Sequence, residues 1–186
     1  MNNNYIYSKK IVSFILIIYF SLGSKVFGSE LDTLFVHLKN AQNPIVAKEF
    51  ENQIWKFWIN DSSNENYRLR MKKGINLMQE GKLDEALNIF ITLSILNPNW
   101  AEPFNKIATI SYLQGNFYES IINIELTLKL EPRHFGAIAG LAQINFAIGK
   151  YQDSLNNLDY AISIYPYIGI RNLRPVLISM IEKSEI

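Results

Sequence analysis

Three glycines and three prolines recur every 34 residues, and this period constrains the fold more than any other feature of the chain. The recurring residues are Gly81, Gly115 and Gly149, together with Pro98, Pro132 and Pro166. Between each glycine and the next proline, a large apolar, a small and a second apolar residue stand at matching positions. Such a period is typical of proteins built from tandem copies of one supersecondary unit, because a single unit cannot bury its own apolar face.

The periodic segment resembles the tetratricopeptide repeat family over residues 67–168, with units at 67–100, 101–134 and 135–168. The resemblance implies an all-α fold, a right-handed α-solenoid in which each unit is a pair of antiparallel helices. Glycine suits the tight turn within a pair, and proline, which cannot continue a helix, suits the boundary between units. The register predicts helices near residues 65–79, 83–96, 99–113, 117–130, 133–147 and 151–164.

Small residues are expected where the two helices of a unit cross closely. They are Gly74, Ala108 and Ala142 on the first helices and Ala86, Ser120 and Ser154 on the second helices.

Helical segments are expected to close both ends of the repeat domain, residues 65–168. Residues 169–186 carry apolar side chains at helical spacing and predict a C-terminal cap helix. Residues 29–64 predict an N-terminal helical hairpin that departs from the repeat pattern and caps the first unit. Its Trp55 and Trp58 are expected to pack as core on the helix near Tyr67–Leu77, with an exposed interaction surface as the alternative.

The first 28 residues predict an export signal. Two lysines precede an apolar run at residues 11–22, and small residues follow, which is the pattern of a secretory signal peptide. Cleavage is expected between Gly28 and Ser29, with a site after Gly23 as the alternative. An uncleaved signal that anchors the chain in the inner membrane is a further alternative, although a spanning helix needs roughly 20 apolar residues. We therefore expect a bacterial protein of the periplasm, or a secreted one.

The residue types that several chemistries require are missing or dispersed. The chain has no cysteine, which excludes disulfides, thiolate metal sites, thiol catalysis and lipid attachment through cysteine. Its two histidines, His37 and His134, predict solvated or helix-capping imidazoles rather than a metal or catalytic site. Without residues 1–28, the chain has 15 basic and 17 acidic side chains, which disfavours nucleic-acid binding. We expect no catalytic residue, no metal and no cofactor.

The resemblance further implies a groove lined by the first helix of each unit, where related proteins hold extended peptides. Transferred by position, the groove residues are Arg68, Met71, Ile75, Met78, Asn105, Thr109, Tyr112, Gln143 and Phe146. Some related proteins grip a C-terminal carboxylate there with lysine, asparagine and arginine side chains. At the corresponding positions of this chain only Lys106 is basic, so carboxylate gripping is disfavoured.

The function expected from these patterns is an exported scaffold that binds a protein or peptide of unknown identity in the cell envelope and catalyses no reaction. No membrane span is expected once the signal is cleaved. The alternative is a structural or assembly module of the envelope that forms homo-oligomers through the Trp-rich N-terminal hairpin.

Overall fold

The computed structural model describes residues 29–184, and the regular elements in this range are all helices. The α-helices are α1 (Glu30–Lys39), α2 (Pro44–Asn60), α3 (Glu65–Gln79), α4 (Leu83–Leu96), α5 (Ala101–Leu113), α6 (Phe117–Leu130), α7 (Phe135–Ala147), α8 (Tyr151–Ile164) and α9 (Arg174–Ser184). A short 3₁₀ helix, Gly169–Leu173, precedes α9. No helix among the described residues has both the length and the apolar character needed to cross a bilayer. The predicted signal peptide, with Gly28, lies outside the described residues.

Helices α3 to α8 form three consecutive antiparallel pairs, which confirms the all-α solenoid. Their bounds match the predicted ones except that α5 and α7 begin two residues later, at Ala101 and Phe135. Both helices begin later because a turn occupies the preceding unit boundary. The Trp100 backbone N–H donates to the carbonyl of Asn97 at 3.1 Å, and His134 repeats this bond to Glu131 at 3.0 Å.

The small residues lie where the paired helices approach most closely, as the sequence predicts. A Cβ atom at Gly74 would stand 2.7 Å from the ring of Phe90. In the second unit the Ser120 hydroxyl donates to the carbonyl of Ala108 at 2.8 Å. The third unit repeats this bond from Ser154 to Ala142 at 2.7 Å. A larger side chain at any of these positions would separate the two helices.

The turn glycines have a left-handed backbone, which makes Gly115→Ala a test of the turn geometry. Gly115 has φ +76° and no heavy atom within 4 Å of an added Cβ, so the penalty comes from the backbone alone. We expect Gly115→Ala to lower the free energy of unfolding by about 1–2 kcal/mol, measured by urea denaturation. The matched control is Gly140→Ala, because Gly140 lies inside α7 with ordinary space around its Cβ. Equal changes in the free energy of unfolding for Gly115→Ala and Gly140→Ala would contradict the left-handed backbone at Gly115.

The N-terminal hairpin, α1 and α2, packs mainly against the third unit, so the predicted docking of its tryptophans on α3 is wrong. One core cluster joins Leu31, Leu34, Phe35, Leu38, Ala47, Ile54 and Trp58 of the hairpin to Phe135, Ile138, Ala139, Ala161, Tyr165 and Ile168. Trp58 is 2% exposed and Trp55 is half-buried. Ile59, the residue after Trp58 on α2, packs against the core of the first unit. The hairpin therefore bridges the first and third units across the first helices of the repeats.

Polar contacts between distant parts of the chain hold the hairpin in this position. Arg133 donates to Asp32 at 2.7 Å, and its guanidinium carbon lies 4.2 Å from the ring centroid of Phe35. The Tyr165 hydroxyl donates to a carboxylate oxygen of Glu51 at 3.1 Å. The indole N–H of Trp100 donates to the backbone carbonyl of Trp58 at 2.6 Å. Contacts from α1, the middle of α2 and the end of α2 together fix one orientation of the hairpin.

Helix α9 packs against α8 at the other end of the array, where the sequence predicts a cap. Leu177 is fully buried in a cluster with Ala142 and Leu158. Arg174 donates to Asp159 of α8 at 2.8 Å. The remaining face of α9 is more exposed, which suits the last helix of a stacked array.

Candidate functional site

A cavity of about 440 Å³ lies between α5 and α7, the first helices of the second and third units. Its lining residues come from three repeat helices and from α2. They are Trp55, Asn105, Lys106, Ala108, Thr109, Tyr112, Leu113, Ser120, Ile124, Gly136, Ala137, Ala139, Gly140 and Gln143. Trp55 of the hairpin closes the end of the cavity at which α5 and α7 begin, since its indole touches Gly136 near the start of α7. The cavity is therefore made jointly by the repeats and the hairpin.

Four of the predicted groove residues line this cavity, and they belong to the second and third units. They are Asn105, Thr109, Tyr112 and Gln143. Thr109 donates its hydroxyl proton to the carbonyl of Asn105 at 2.8 Å. The Gln143 amide donates to the carbonyl of Ala139 at 3.4 Å, which is a long and therefore weak hydrogen bond.

The other predicted groove residues lie away from the cavity. Met71 is 0% exposed, packed with Phe90 and Trp100 in the core of the first unit, so its assignment to an open groove is wrong. Ile75 and Met78 pack against the same cluster. None of these three residues lines the cavity.

Arg68 and Phe146 also have structural contacts instead of a place at the cavity. Arg68 donates to the backbone carbonyl of Ser62 and ties α3 to the loop after the hairpin. Phe146 packs on Tyr151 with ring centroids 5.9 Å apart, within the third unit.

A buried cluster of Glu102, Lys106 and His134 lies beside the cavity. Glu102 forms an ion pair with the Lys106 ammonium at 2.8 Å and accepts a hydrogen bond from Nε2–H of His134 at 3.0 Å. Nδ1 of His134 accepts the backbone N–H of Ala137 at 3.1 Å, so the proton of the neutral ring is on Nε2. The indole of Trp58 stacks on His134 with centroids 3.9 Å apart. The cluster thus joins α5, α7 and the hairpin.

The electrostatics of this cluster leave the cavity without a free charge. Burial alone would raise the pKa of Glu102, but the Lys106 ammonium and the His134 hydrogen bond outweigh it and hold that pKa below its ordinary value. Among the described residues that line the cavity, Lys106 is the only one with a charge, and Glu102 neutralises it. The ion pair therefore presents a neutral wall.

The sequence predicts a helix-capping role for His134 but not its buried partner, Glu102. His134 is the N-cap of α7, as predicted, but it is fully buried rather than solvated. The signal for Glu102 is its position four residues before Lys106 on one helix, a spacing that favours an ion pair. Within residues 29–184, no group of three or more acidic, histidine or cysteine side chains is placed to hold a metal ion.

Alkaline pH tests the contact between Tyr165 and the hairpin. Burial, with the nearby Glu51 carboxylate, raises the pKa of Tyr165 from 10.0 to about 12. The neutral phenol is the form that the fold favours, so its stabilising effect is complete below pH 10 and is lost as pH rises towards 12. We expect the free energy of unfolding of the unaltered protein to approach that of Tyr165→Phe over this interval. Tyr118→Phe, at an exposed position, is the control. A difference in unfolding free energy between the unaltered protein and Tyr165→Phe that stays constant over this pH interval would contradict the raised pKa of Tyr165.

Comparison with known proteins relates the chain to repeat proteins of one kind. No family model matches it. It is 35% identical over 136 residues to a TPR repeat-containing protein of Rhizobium etli, and the match covers 73% of this chain and 66% of that protein. The chain thus spans a little under two thirds of that relative.

Two solved structures have the same fold at low sequence identity. A MamA RS-1 double mutant has a TM-score of 0.59 at 20% identity, over 67% of this chain and 70% of that one. The type III secretion chaperone SycD of Yersinia enterocolitica, in complex with a peptide of the translocator YopD, has a TM-score of 0.54 at 17% identity. That match covers 67% of this chain and 95% of SycD.

Proposed function

Because the chain belongs to the tetratricopeptide repeat family, we propose that it is a scaffold that binds a segment of another protein in the cavity between α5 and α7 and catalyses no reaction. The cavity carries this proposal. At about 440 Å³, it has the size of an ordinary ligand site and a mixed lining of apolar and hydrogen-bonding groups. A peptide complex of SycD, which has the same fold, supports a peptide as the ligand.

The buried Glu102 and His134 do not support a catalytic alternative. Both side chains are fully buried, and Nδ1 and Nε2 of His134 are each occupied by a hydrogen bond within the fold. A general base must reach a proton of the substrate, either directly or through one water molecule. Neither side chain lines the cavity, so their role in this proposal is to hold α5 against α7.

We place this scaffold in the bacterial cell envelope, on the basis of the predicted signal at residues 1–28. The lysines, apolar run and small residues of that segment support export. Mass spectrometry of the protein isolated from its native cells tests this proposal. A mature chain that begins at Ser29 is expected, and Ser24 would indicate the alternative cleavage site. A chain that retains residues 1–28 would contradict cleavage.

Self-association through the Trp-rich hairpin is the less favoured alternative, because the hairpin packs on other helices of the same chain. Trp58 stacks on His134, and Trp55 contacts Phe135 with ring centroids 5.5 Å apart. Trp58 is covered in the folded protein, and the half-buried Trp55 lines the cavity, so we favour the binding scaffold.

Site-specific photo-crosslinking in living cells tests the scaffold. Leu113 lines the cavity and is 58% exposed, so Leu113→p-benzoylphenylalanine places a photoreactive group at its rim. We expect a discrete protein adduct after irradiation. The matched control is Ile45→p-benzoylphenylalanine, which is 74% exposed on α2 and about 15 Å along the helix from Trp55. No adduct at Leu113, or the same adduct at both positions, would contradict binding at the cavity.

A further inference from the structure

The closed end of the cavity is a rigid aromatic wall. Gly136 has no side chain, and the space that a Cβ would occupy is filled by the Trp55 indole, whose nearest atom would be 2.7 Å from it. The Lys106 ammonium lies 4.9 Å from the centroid of the same indole. Trp55 also stands edge-to-face against Trp58, with centroids 5.2 Å apart. Contacts on several sides therefore hold the indole in one orientation.

The floor of the cavity is apolar and has room for a side chain from outside. A Cβ at Gly140 would meet only the Cδ1 atom of Ile124, at an ordinary 3.5 Å, so glycine leaves space here that a larger residue would fill. Ile124 and Ala137 are almost fully buried beneath this space. Apolar surface of this kind gains free energy when an apolar group covers it.

The charges around the cavity favour an uncharged group of the bound segment over a charged one. The Lys106 ammonium is only 16% exposed and is paired with Glu102 at 2.8 Å, so it is not available to a carboxylate from outside. A charged group placed against Ile124 and Trp55 would lose its hydration without gaining a partner, which is costly. An uncharged aliphatic group meets no such penalty.

We propose that the cavity holds an uncharged aliphatic side chain of the bound segment, seated between the Trp55 indole and the backbone of Gly140. This inference rests on the proposed function, and it makes Trp55 and Gly140 the residues that determine specificity. The recognised partner is a peptide segment with a leucine-like anchor, and a free C-terminal carboxylate is not required.

Selection from a phage-displayed library of random peptides, with the purified protein as target, tests the anchor. Selected sequences are expected to share one position occupied by leucine, isoleucine, valine or methionine. In synthetic peptides with amidated C-termini, replacement of that residue by aspartate should weaken binding by about tenfold or more. Selected peptides that share an acidic residue instead, or that tolerate aspartate at the shared position, would overturn the inference.

A pair of leucine substitutions on α7 tests the location. Gly140→Leu fills the cavity from its floor, and Ala147→Leu adds the same side chain at an exposed position of the same helix. We expect Gly140→Leu to weaken the selected peptides by about tenfold or more and Ala147→Leu to leave their affinity unchanged. Equal binding by all three proteins would overturn the cavity as the site and leave peptide binding intact, whereas no selected peptide would overturn the proposed function as well.

An NMR titration of the unaltered protein tests the same site without relying on the folding of any variant. In the unaltered protein, titration of a selected peptide should shift the NMR signals of the Trp55 indole N–H and the Gly140 amide more than that of Gly169, which lies beyond the repeats. Shifts confined to other parts of the chain would overturn the inference.

Discussion

Trp58→Ala is expected to lower the free energy of unfolding by about 3–5 kcal/mol. The Trp58 side chain is 2% exposed, stacks on His134 and packs against Phe135 with ring centroids 5.0 Å apart. Truncation to alanine removes these contacts and leaves a cavity where α2, α7 and α1 meet. Urea denaturation followed by circular dichroism measures the loss.

A second substitution at the same position separates packing from hydrogen bonding. The indole N–H of Trp58 is buried and finds no acceptor among residues 29–184. Trp58→Phe keeps an aromatic ring against His134 and removes that unsatisfied donor, so it should be less destabilising than Trp58→Ala. We expect Trp58→Phe to lower the free energy of unfolding by about 1–2 kcal/mol. Val36→Ala, at an exposed site on the same hairpin, should change the stability by less than about 0.5 kcal/mol.

A double-mutant cycle between Trp58 and Phe135 tests whether the hairpin packs on the third unit. The two rings touch, so Trp58→Ala and Phe135→Ala are expected to show a coupling energy of about 0.5–3 kcal/mol. If the stability losses of the two single variants sum to that of the double variant, the docking of the hairpin on α7 is contradicted. Such additivity is typical of distant, independent sites.

The helices of the repeats could be predicted to within two residues because each signal is local. A turn glycine such as Gly115 and a boundary proline such as Pro132 act within a few residues of their own positions. The crossing residues Ala108 and Ser120 are only 12 positions apart and meet within one unit. Each unit therefore carries the information for its own fold, and stacking repeats the same contact.

The position of the hairpin could not be predicted, because its partners are remote in the sequence and follow no period. Asp32 and Arg133 are 101 residues apart, yet they form an ion pair at 2.7 Å. The apolar stripe on α1 shows that one face is buried, but amphipathic spacing does not say against which helix. The sequence therefore predicts correctly that Trp58 lies in a core, but the predicted partner is α3 and the observed one is α7.

This gap explains which part of the candidate site was missed. The resemblance to the repeat family, transferred by position, implies Asn105, Thr109 and Gln143 as groove residues, and they line the cavity. Trp55 enters it only because the hairpin crosses α7, so no pattern within the repeats could identify it. The same transfer by position also puts Met71 in the groove, whereas Met71 lies in a core that Ile59 of α2 also contacts.

Glu102→Ala tests the buried ion cluster and is expected to lower the free energy of unfolding by about 3–5 kcal/mol at neutral pH. The change leaves the largely buried Lys106 ammonium without its carboxylate and the Nε2–H of His134 without an acceptor. Isolated buried charges and donors of this kind are costly because the protein interior screens them poorly. Glu125→Ala, an exposed glutamate on α6, is the control and should change the stability by less than about 0.5 kcal/mol.

Acid pH gives the same substitution a second readout, since the carboxylate of Glu102 is stabilising only while it is ionised. Its pKa in the folded state is lowered from the ordinary 4.5, so the unfolded chain takes up this proton first as the pH falls. The stabilisation is complete above pH 4.5 and is lost as the pH falls through the folded-state pKa. The difference in unfolding free energy between the unaltered protein and Glu102→Ala should therefore narrow below pH 4.5. A difference that stays constant from about pH 7 to pH 3 would show that the fold does not lower the pKa of Glu102.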